Sequence, residues 1–509
     1  MGEVNAADLT WILPEIIVAG SAMLLLLWTA ILRNDDRWWS VSIALGANAM
    51  AGIVMALRQP IDGGALEIFS GQLVIDSFST FFRALFLVVG SLAVLTVAQR
   101  FERVPFTETA ATLQFSLSGM LLMAGAVDWV TAFIALELMA VPVYVLTAMT
   151  RFRRDSVEAA MKYLVLGAFA TAVLVYGIAW TYGLTGTTYF PELAERIMTV
   201  GASPWMLFAI GLILVGFGFK VAAVPFHAWT PDAYQGAPTP LAAFISVGPK
   251  VAAVALLARV VGLGFGFQGA DTGADPAVVL NVALAIAIIA TATMIVGNLV
   301  AISQSNIKRM LGYSSIAHTG YMLVGLAAVT RVETDTGFAS FDFVGLPSVL
   351  FYGFVYAFMN FGAFAVAHVV EYQTGSNEIS AFRGLMQRSP VPAAAMAVFM
   401  LGLTGIPPLT GFFGKLYILQ AAVESDLGWL AIVLVVTSVV SAFYYLRVIV
   451  QMFMSDPDAE AASDGEPSAE VADLHTAVIT ATAGATLALG IVGGGILAWA
   501  QSSVATGLF

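Results

Sequence analysis

Of the five lysines in this chain, Lys162, Lys220, Lys250 and Lys415 lie inside stretches that are otherwise apolar, whereas the sixteen arginines fall mostly between such stretches. The two cations do different chemistry. Arginine stays charged in essentially any protein environment, but burial lowers a lysine pKa by several units, so neighbouring groups can switch it between ammonium and free amine. A row of buried lysines therefore suits a proton relay. Structural ion pairing, or amines snorkelling to a membrane surface, is the competing account. A charge at mid-bilayer costs about 2.5 to 3.5 kcal/mol even on the lenient insertion scale, which favours retention for function.

Glu137, in WVTAFIALELMAVPVYVL, is the acidic counterpart. It falls about 13 Å along its helix at 1.5 Å per residue, near mid-span. A carboxylate there needs a proton or a cation, and Lys162 and Lys220 on the following helices are the available cations. Lys220 in GFGFKVAAVPFHAW and Lys415 in LTGIPPLTGFFGKLYIL each sit among prolines and glycines, so both are expected at broken helices. Backbone freed by such a break is tolerated only where it is enclosed by protein or faces a watered cavity, and ion pathways are built there. Lys250 directly follows Pro249 in ISVGPKVAAVALLAR. Ordinary kinking would explain one such proline, less readily three. Of the four histidines, His318 in GYSSIAHTGYMLVG is placed for a central relay, while His227, His368 and His475 lie towards helix ends. A satisfied core histidine is an equally good account of His318.

The elements that must hold these groups follow from composition. The chain has 509 residues, 59% hydrophobic and 11% charged, which excludes a set of soluble domains and indicates an all-α polytopic membrane protein. About 20 apolar residues per crossing gives fourteen candidate helices, starting near residues 9, 38, 74, 109, 128, 156, 204, 238, 277, 307, 344, 390, 427 and 474. The stretch near Leu9 to Leu32 follows Glu3 and Asp8 rather than a basic segment and is read as a retained span. On this count alternate loops hold 12 basic residues: Arg33, Arg37, Arg100, Arg103, Arg151, Arg153, Arg154, Lys308, Arg309, Arg383, Arg388 and Arg447. The opposite loops hold 4, namely Arg58, Arg196, Arg259 and Arg331, and Arg83 joins the four lysines inside helices. The bias predicts fourteen spans with both termini outside.

Zero cysteines exclude disulfides, iron–sulfur ligation, thiol catalysis and c-type haem attachment on this chain. The sequence holds no HExxH or CxxC pattern, so no metal or haem site is expected, and no basic patch with interleaved aromatics invites nucleic acid. Gly264, Gly266 and Gly269 spell GxGxxG, but they follow an apolar helix rather than a strand and read as a loop. Seven carboxylates between Asp456 and Asp473, with no Lys or Arg among them, account for much of the net charge of -12 and predict a mobile, solvated cytoplasmic loop over 455–473.

The blocks FKVAAVPFHAWTPDAYQGAPTPLAAFISVGPKVAAVALLAR, SNIKRMLGYSSIAHTGYML and TGIPPLTGFFGKLY carry a further signal. With them the chain resembles, over nearly its whole length, the antiporter-like subunits of respiratory complex I, the proton-translocating NADH:quinone oxidoreductase. The resemblance implies fourteen helices with two inverted five-helix repeats. These would be three N-terminal helices over 1–108, helices four to eight over 109–265, helices nine to thirteen over 266–454, the acidic loop, and a last helix over 474–509. It implies a proton relay through Glu137, Lys220, Lys250 and Lys415, with Lys162 and His318 secondary, driven by quinone reduction elsewhere in the complex. FMN, iron–sulfur clusters and quinone would belong to partner subunits, leaving no redox centre here. The implied partners are the antiporter-like M subunit, the small K-, J- and A-type subunits and the lipid bilayer, in a bacterial inner membrane with both termini periplasmic. Lys415 departs from the M-type sibling, which carries glutamate there, and the L-type sibling adds a long lateral helix for which nothing remains after Phe509. Sodium/proton antiporter subunits of the Mrp type share the central lysines and are the alternative.

Overall fold

The computed structural model describes residues 6–32, 37–60, 64–98, 104–267, 275–333, 339–456 and 469–507. The acidic run 457–468, Gly269, Arg33, Arg100 and Arg103 lie outside the described residues. The chain is all-α apart from two antiparallel hairpins in loops, β1 (Leu66–Ile68) with β2 (Leu73–Ile75) and β3 (Thr330–Glu333) with β4 (Ala339–Asp342).

Every expected crossing has a helical counterpart. In order they are α1 (Leu13–Leu32), α2 (Arg37–Leu57), α3 (Ser77–Val97), α4 (Phe106–Gly125), α5 (Trp129–Thr147) and α6 (Arg154–Thr185). The seventh is split into α7a (Pro204–Lys220) and α7b (Trp229–Gly236), followed by α8 (Thr239–Arg259), α9 (Pro276–Ile302), α10 (Ile307–Ala327) and α11 (Leu346–Thr374). The twelfth is again split, into α12a (Pro390–Thr404) and α12b (Thr410–Glu424), before α13 (Gly428–Met454) and α14 (Ala469–Val492), which resumes as Gly494–Ala505. Among the described residues, ten of these helices are long and apolar enough to cross a membrane unaided. The other four places are the two split helices and α4 and α10, which carry more polar side chains and are buried against other helices.

Short polar residues set the ends. Asp76 caps α3 with a reciprocal Ser79 contact, Asp128 caps α5, Asp275 caps α9 and Asn306 caps α10, each accepting backbone amides of the first turn. Glycines in the left-handed conformation close α6 and α11 at Gly186 and Gly375. Pro249 and Pro142 do not interrupt their helices: α8 and α5 run continuously through them.

Helix α8 is buried along its whole length and α11 along most of it, so these two, with α10, form the centre. Close approach needs small residues, since lipid supplies no hydrophobic drive between helices. Gly320 of α10 illustrates this, because a Cβ there would lie 2.9 Å from the Met294 nitrogen of α9.

Two positively charged residues assigned to loops prove to be buried. Arg259 ends α8 with its side chain fully enclosed and ion-paired to Asp76 at 2.6 Å. Lys308 lies in the first turn of α10 and donates to the Ala237 carbonyl at 2.6 Å. Both donate to buried helix-end carbonyls that lack a helical partner, Ala124 for Arg259 and Ala237 for Lys308, a role the loop count could not distinguish from plain charge bias. Arg83, expected inside a helix, is there and lies 2.5 Å from Glu15 of α1.

Candidate functional site

Lys220 is the last residue of α7a, and the chain then leaves helical geometry until Trp229. The break is held by the Trp229 indole donating to the Phe219 carbonyl at 2.9 Å, and by the Thr319 hydroxyl of α10 donating to the Val221 carbonyl at 2.9 Å. With its stem enclosed, the Lys220 amine reaches sideways to α5. It donates to Glu137 Oε1 at 3.2 Å and to the Tyr144 hydroxyl at 3.4 Å. The Thr171 hydroxyl of α6 donates to the same Glu137 oxygen at 3.0 Å. Of the two cations open to Glu137, the structure therefore joins it to Lys220.

Lys162 stands apart. Its side chain is 49% exposed, 2.8 Å from Glu158 and 3.1 Å from Asp232, and Asp232 also meets Arg309 at 2.7 Å. The reason is length. Helix α6 has 32 residues, about 48 Å against an apolar core of about 30 Å, so its first turns extend into a polar region.

Lys250 is buried on α8 and donates to the Ser315 hydroxyl of α10 at 2.5 Å. Ser315 also receives the Tyr356 hydroxyl of α11 at 2.9 Å. His318 lies one turn along α10, with Nδ1 2.6 Å from the Tyr352 hydroxyl and Nε2 3.0 Å from the Tyr445 hydroxyl. A neutral imidazole has one N–H, so one of these tyrosines donates to the ring while the other accepts, and exchanging the tautomer exchanges the roles. Tyr445 is also 2.5 Å from the Ser314 hydroxyl.

Lys415 lies in α12b but points back to α12a, donating to the carbonyls of Leu403 and Thr404 at 3.0 and 2.8 Å. It thus satisfies orphan acceptors at the negative end of a helix. Its amine is also 4.8 Å from the centroid of the Tyr321 ring, which in turn meets the His318 ring edge-on at 5.4 Å. The turn that permits this is Gly405, at φ +89°, where a Cβ would sit 3.1 Å from Lys415 Cδ. Gly405→Ala is expected to cost about 1 to 2 kcal/mol through the forced left-handed conformation and to displace the amine. A lower thermal midpoint together with slower turnover would be measured; an unchanged midpoint would remove the turn from the argument.

From Lys250 to Lys415 the spacing is thus filled by hydroxyls and imidazole. From Lys220 to Lys250, ring contacts run from Tyr144 through Tyr163 and Trp229, stacked at 4.1 Å, to Tyr234, whose ring centroid is 5.7 Å from the Lys250 amine. Among the described residues no hydrogen bond links the two amines directly, so transfer between them needs water or rotation of a ring. Sequence reasoning missed Ser314, Ser315, Tyr352, Tyr356 and Tyr445. The available signal was the pair of tyrosines at i, i+4 in α11.

Comparison with known proteins places the chain in a family. Residues 126–441 match the model of the family described as NADH:quinone oxidoreductase/Mrp antiporter, transmembrane. NADH-quinone oxidoreductase subunit N of Trichlorobacter lovleyi is 40% identical over 504 residues, covering 98% of this chain and 97% of that one. Among solved structures, respiratory complex I from Thermus thermophilus contains a chain with a TM-score of 0.76 at 31% identity, covering 95% of this chain and 98% of that one. The Mrp complex from Dietzia has one with a TM-score of 0.80 at 21% identity, covering 98% and 97%, a likeness of fold alone. The matched family model spans both helix breaks and all four of Glu137, Lys220, Lys250 and Lys415, and the chain belongs to the NADH:quinone oxidoreductase/Mrp antiporter transmembrane family.

Proposed function

We propose that the chain is the N-type membrane-arm subunit of a proton-translocating NADH:quinone oxidoreductase, carrying protons through Glu137, Lys220, Lys250, His318 and Lys415. The observation that carries this reading is a set of three buried amines in an apolar bundle, Lys220 bonded to a carboxylate, Lys250 to a hydroxyl and Lys415 to the helix-end carbonyls of the second break. Lys162, with Asp232 and Glu158, is a proton-collecting group at the polar end of α6. Quinone reduction belongs to other subunits, and a chain without cysteine brings no iron–sulfur ligands of its own. The family match covers the sodium/proton antiporter alternative too, but the Mrp chain is only 21% identical, whereas NADH-quinone oxidoreductase subunit N of Trichlorobacter lovleyi is 40% identical over 98% of this chain.

Two finer points follow. Helices α4–α8 and α9–α13 form two inverted units, because each breaks at its fourth helix with a lysine beside the break, Lys220 ending α7a and Lys415 within α12b. Five crossings per unit start the second from the opposite side, and the arginine-rich loops then face the cytoplasm with both termini periplasmic. Glu137 keeps 26% of its side chain accessible beside the exposed Ile134 and Val141. A carboxylate is costly against lipid, so this face of α5 docks a neighbouring membrane subunit.

The reading is tested with Lys250→Met in the assembled complex in sealed vesicles. Proton pumping and NADH-driven quinone reduction are expected to fall together by about threefold to tenfold. Full pumping at normal stoichiometry would refute the relay, and purification without flavin and iron–sulfur partners would refute the complex.

A further inference from the structure

The side chains that face each other along α8 and α11 form a second polar row, which meets the relay above at Lys250. At the arginine-rich face, Thr239 of α8 donates to Glu371 of α11, whose other oxygen accepts from Asn377 at 2.6 Å. Glu371 keeps 21% of its side chain accessible and has His368 Nδ1 at 3.9 Å, with the His475 ring of α14 5.0 Å beyond. Deeper in, Asn360 of α11 donates to the Ser246 hydroxyl of α8 at 2.7 Å. Deeper again come Lys250 on α8 and Tyr356 on α11, joined through Ser315. The spacings Thr239, Ser246, Lys250 and Tyr356, Asn360, His368, Glu371 each keep to one helix face. From Thr239 to Lys250 is about 16 Å of helix, roughly half of a 30 Å apolar core.

Asn360 supplies the independent observation. It is fully buried, yet its amide oxygen has no hydrogen-bond donor among the described residues. Exchanging the amide oxygen and nitrogen moves the deficit without removing it. A buried carbonyl left unpaired costs about 1 to 3 kcal/mol, and water is the usual donor at such a site. Phe364, one turn from both Asn360 and His368, is the apolar member of the row and rests against Tyr234 at 6.0 Å between centroids. By register it stands between the Asn360 and His368 levels of the row.

Resting on the proton-relay reading, we infer that this seam is a proton uptake branch, running from Glu371 and His368 past Phe364 to the hydrated Asn360–Ser246 pair and so to Lys250. It supplies the middle amine from the arginine-rich face without passing through the Glu137–Lys220 pair or the rings beyond it. An interhelical hydrogen bond that merely holds α8 to α11 is the competing account.

The two accounts part when Asn360→Leu and Asn360→Ala are compared in the assembled complex in sealed vesicles. Leucine fills the site with hydrocarbon, whereas alanine leaves room for water. A path predicts that Asn360→Leu slows coupled turnover by about threefold or more while Asn360→Ala stays near the parent. Glue predicts that alanine is at least as harmful as leucine, and that result, or normal turnover in both, overturns the branch. Should Asn360→Leu fail to assemble, Ser246→Val against Ser246→Ala gives the same contrast from α8. Lys250→Met in the same vesicles separates the levels. If it is impaired while the seam variants are not, the branch alone fails; if it is fully active, the relay fails and the branch with it.

Discussion

Lys220→Ala is expected to lower coupled proton pumping and quinone reduction by more than about tenfold in complexes that still assemble, and Lys220→Arg to be nearly as poor. The first substitution removes the amine and leaves Glu137, at depth in the bilayer, with only the Thr171 hydroxyl on Oε1. Some of its loss is therefore structural, because a carboxylate without its cation destabilises its surroundings. Arginine isolates the chemistry. It keeps the positive charge beside Glu137 and Tyr144 but cannot give up a proton in a protein environment. A relay stops under that change, whereas an ion pair tolerates it. Measurement of vesicle acidification and NADH oxidation for both variants decides between these. Recovery of more than half of the parent rate by arginine would make Lys220 a strut between α5 and α7a rather than a carrier.

The gross architecture was legible because a helix in lipid must be apolar over a length fixed by the bilayer. The helices begin within about five residues of the predicted starts, and the breaks fall at Lys220 and just before Lys415, where proline and glycine cluster. Depth along the membrane normal was less legible. Lys162 was placed within a span like Lys220, yet Arg154, Asp155 and Glu158 precede it and α6 is long enough to carry it among Glu158 and Asp232. Pairing across helices was legible for the charges, where Glu137 had Lys162 and Lys220 as candidates and met Lys220, but not for the neutral groups. Nothing in the local sequence announces that Ser315 bridges Lys250 and Tyr356, or that Asn360 meets Ser246, since each contact joins residues 41 to 114 positions apart. Arg259 shows the same limit from the other side. Read as one loop charge among several, it is the most completely paired cation the fold contains among the described residues.

Arg259→Ala is expected to destabilise the chain by about 3 to 5 kcal/mol, with little effect on turnover per surviving complex. The guanidinium bonds both oxygens of Asp76, at 2.9 and 2.6 Å, and donates twice to the Ala124 carbonyl, at 3.2 and 3.1 Å, while packing 4.4 Å from the centroid of the Phe78 ring. It therefore ties the C-terminal ends of α4 and α8 to the N-terminus of α3, at a point where neither charge touches water. Alanine would leave Asp76 ionised and buried without its guanidinium, while the Ser79 amide still donates to Oδ1 at 2.8 Å. Arg259→Lys should rescue little, because one ammonium cannot fork across two carboxylate oxygens and a carbonyl. The double change Asp76→Asn with Arg259→Met should recover most of the loss, since it removes both charges while Asn still caps α3. Heat-induced dissociation of the assembled complex, scored with quinone reductase rate per remaining complex, reads both quantities. An unchanged midpoint for Arg259→Ala would contradict the pair's structural role. A selective fall in rate would instead place Arg259 on the proton path, contrary to its position nine residues, about 13 Å, along α8 from Lys250.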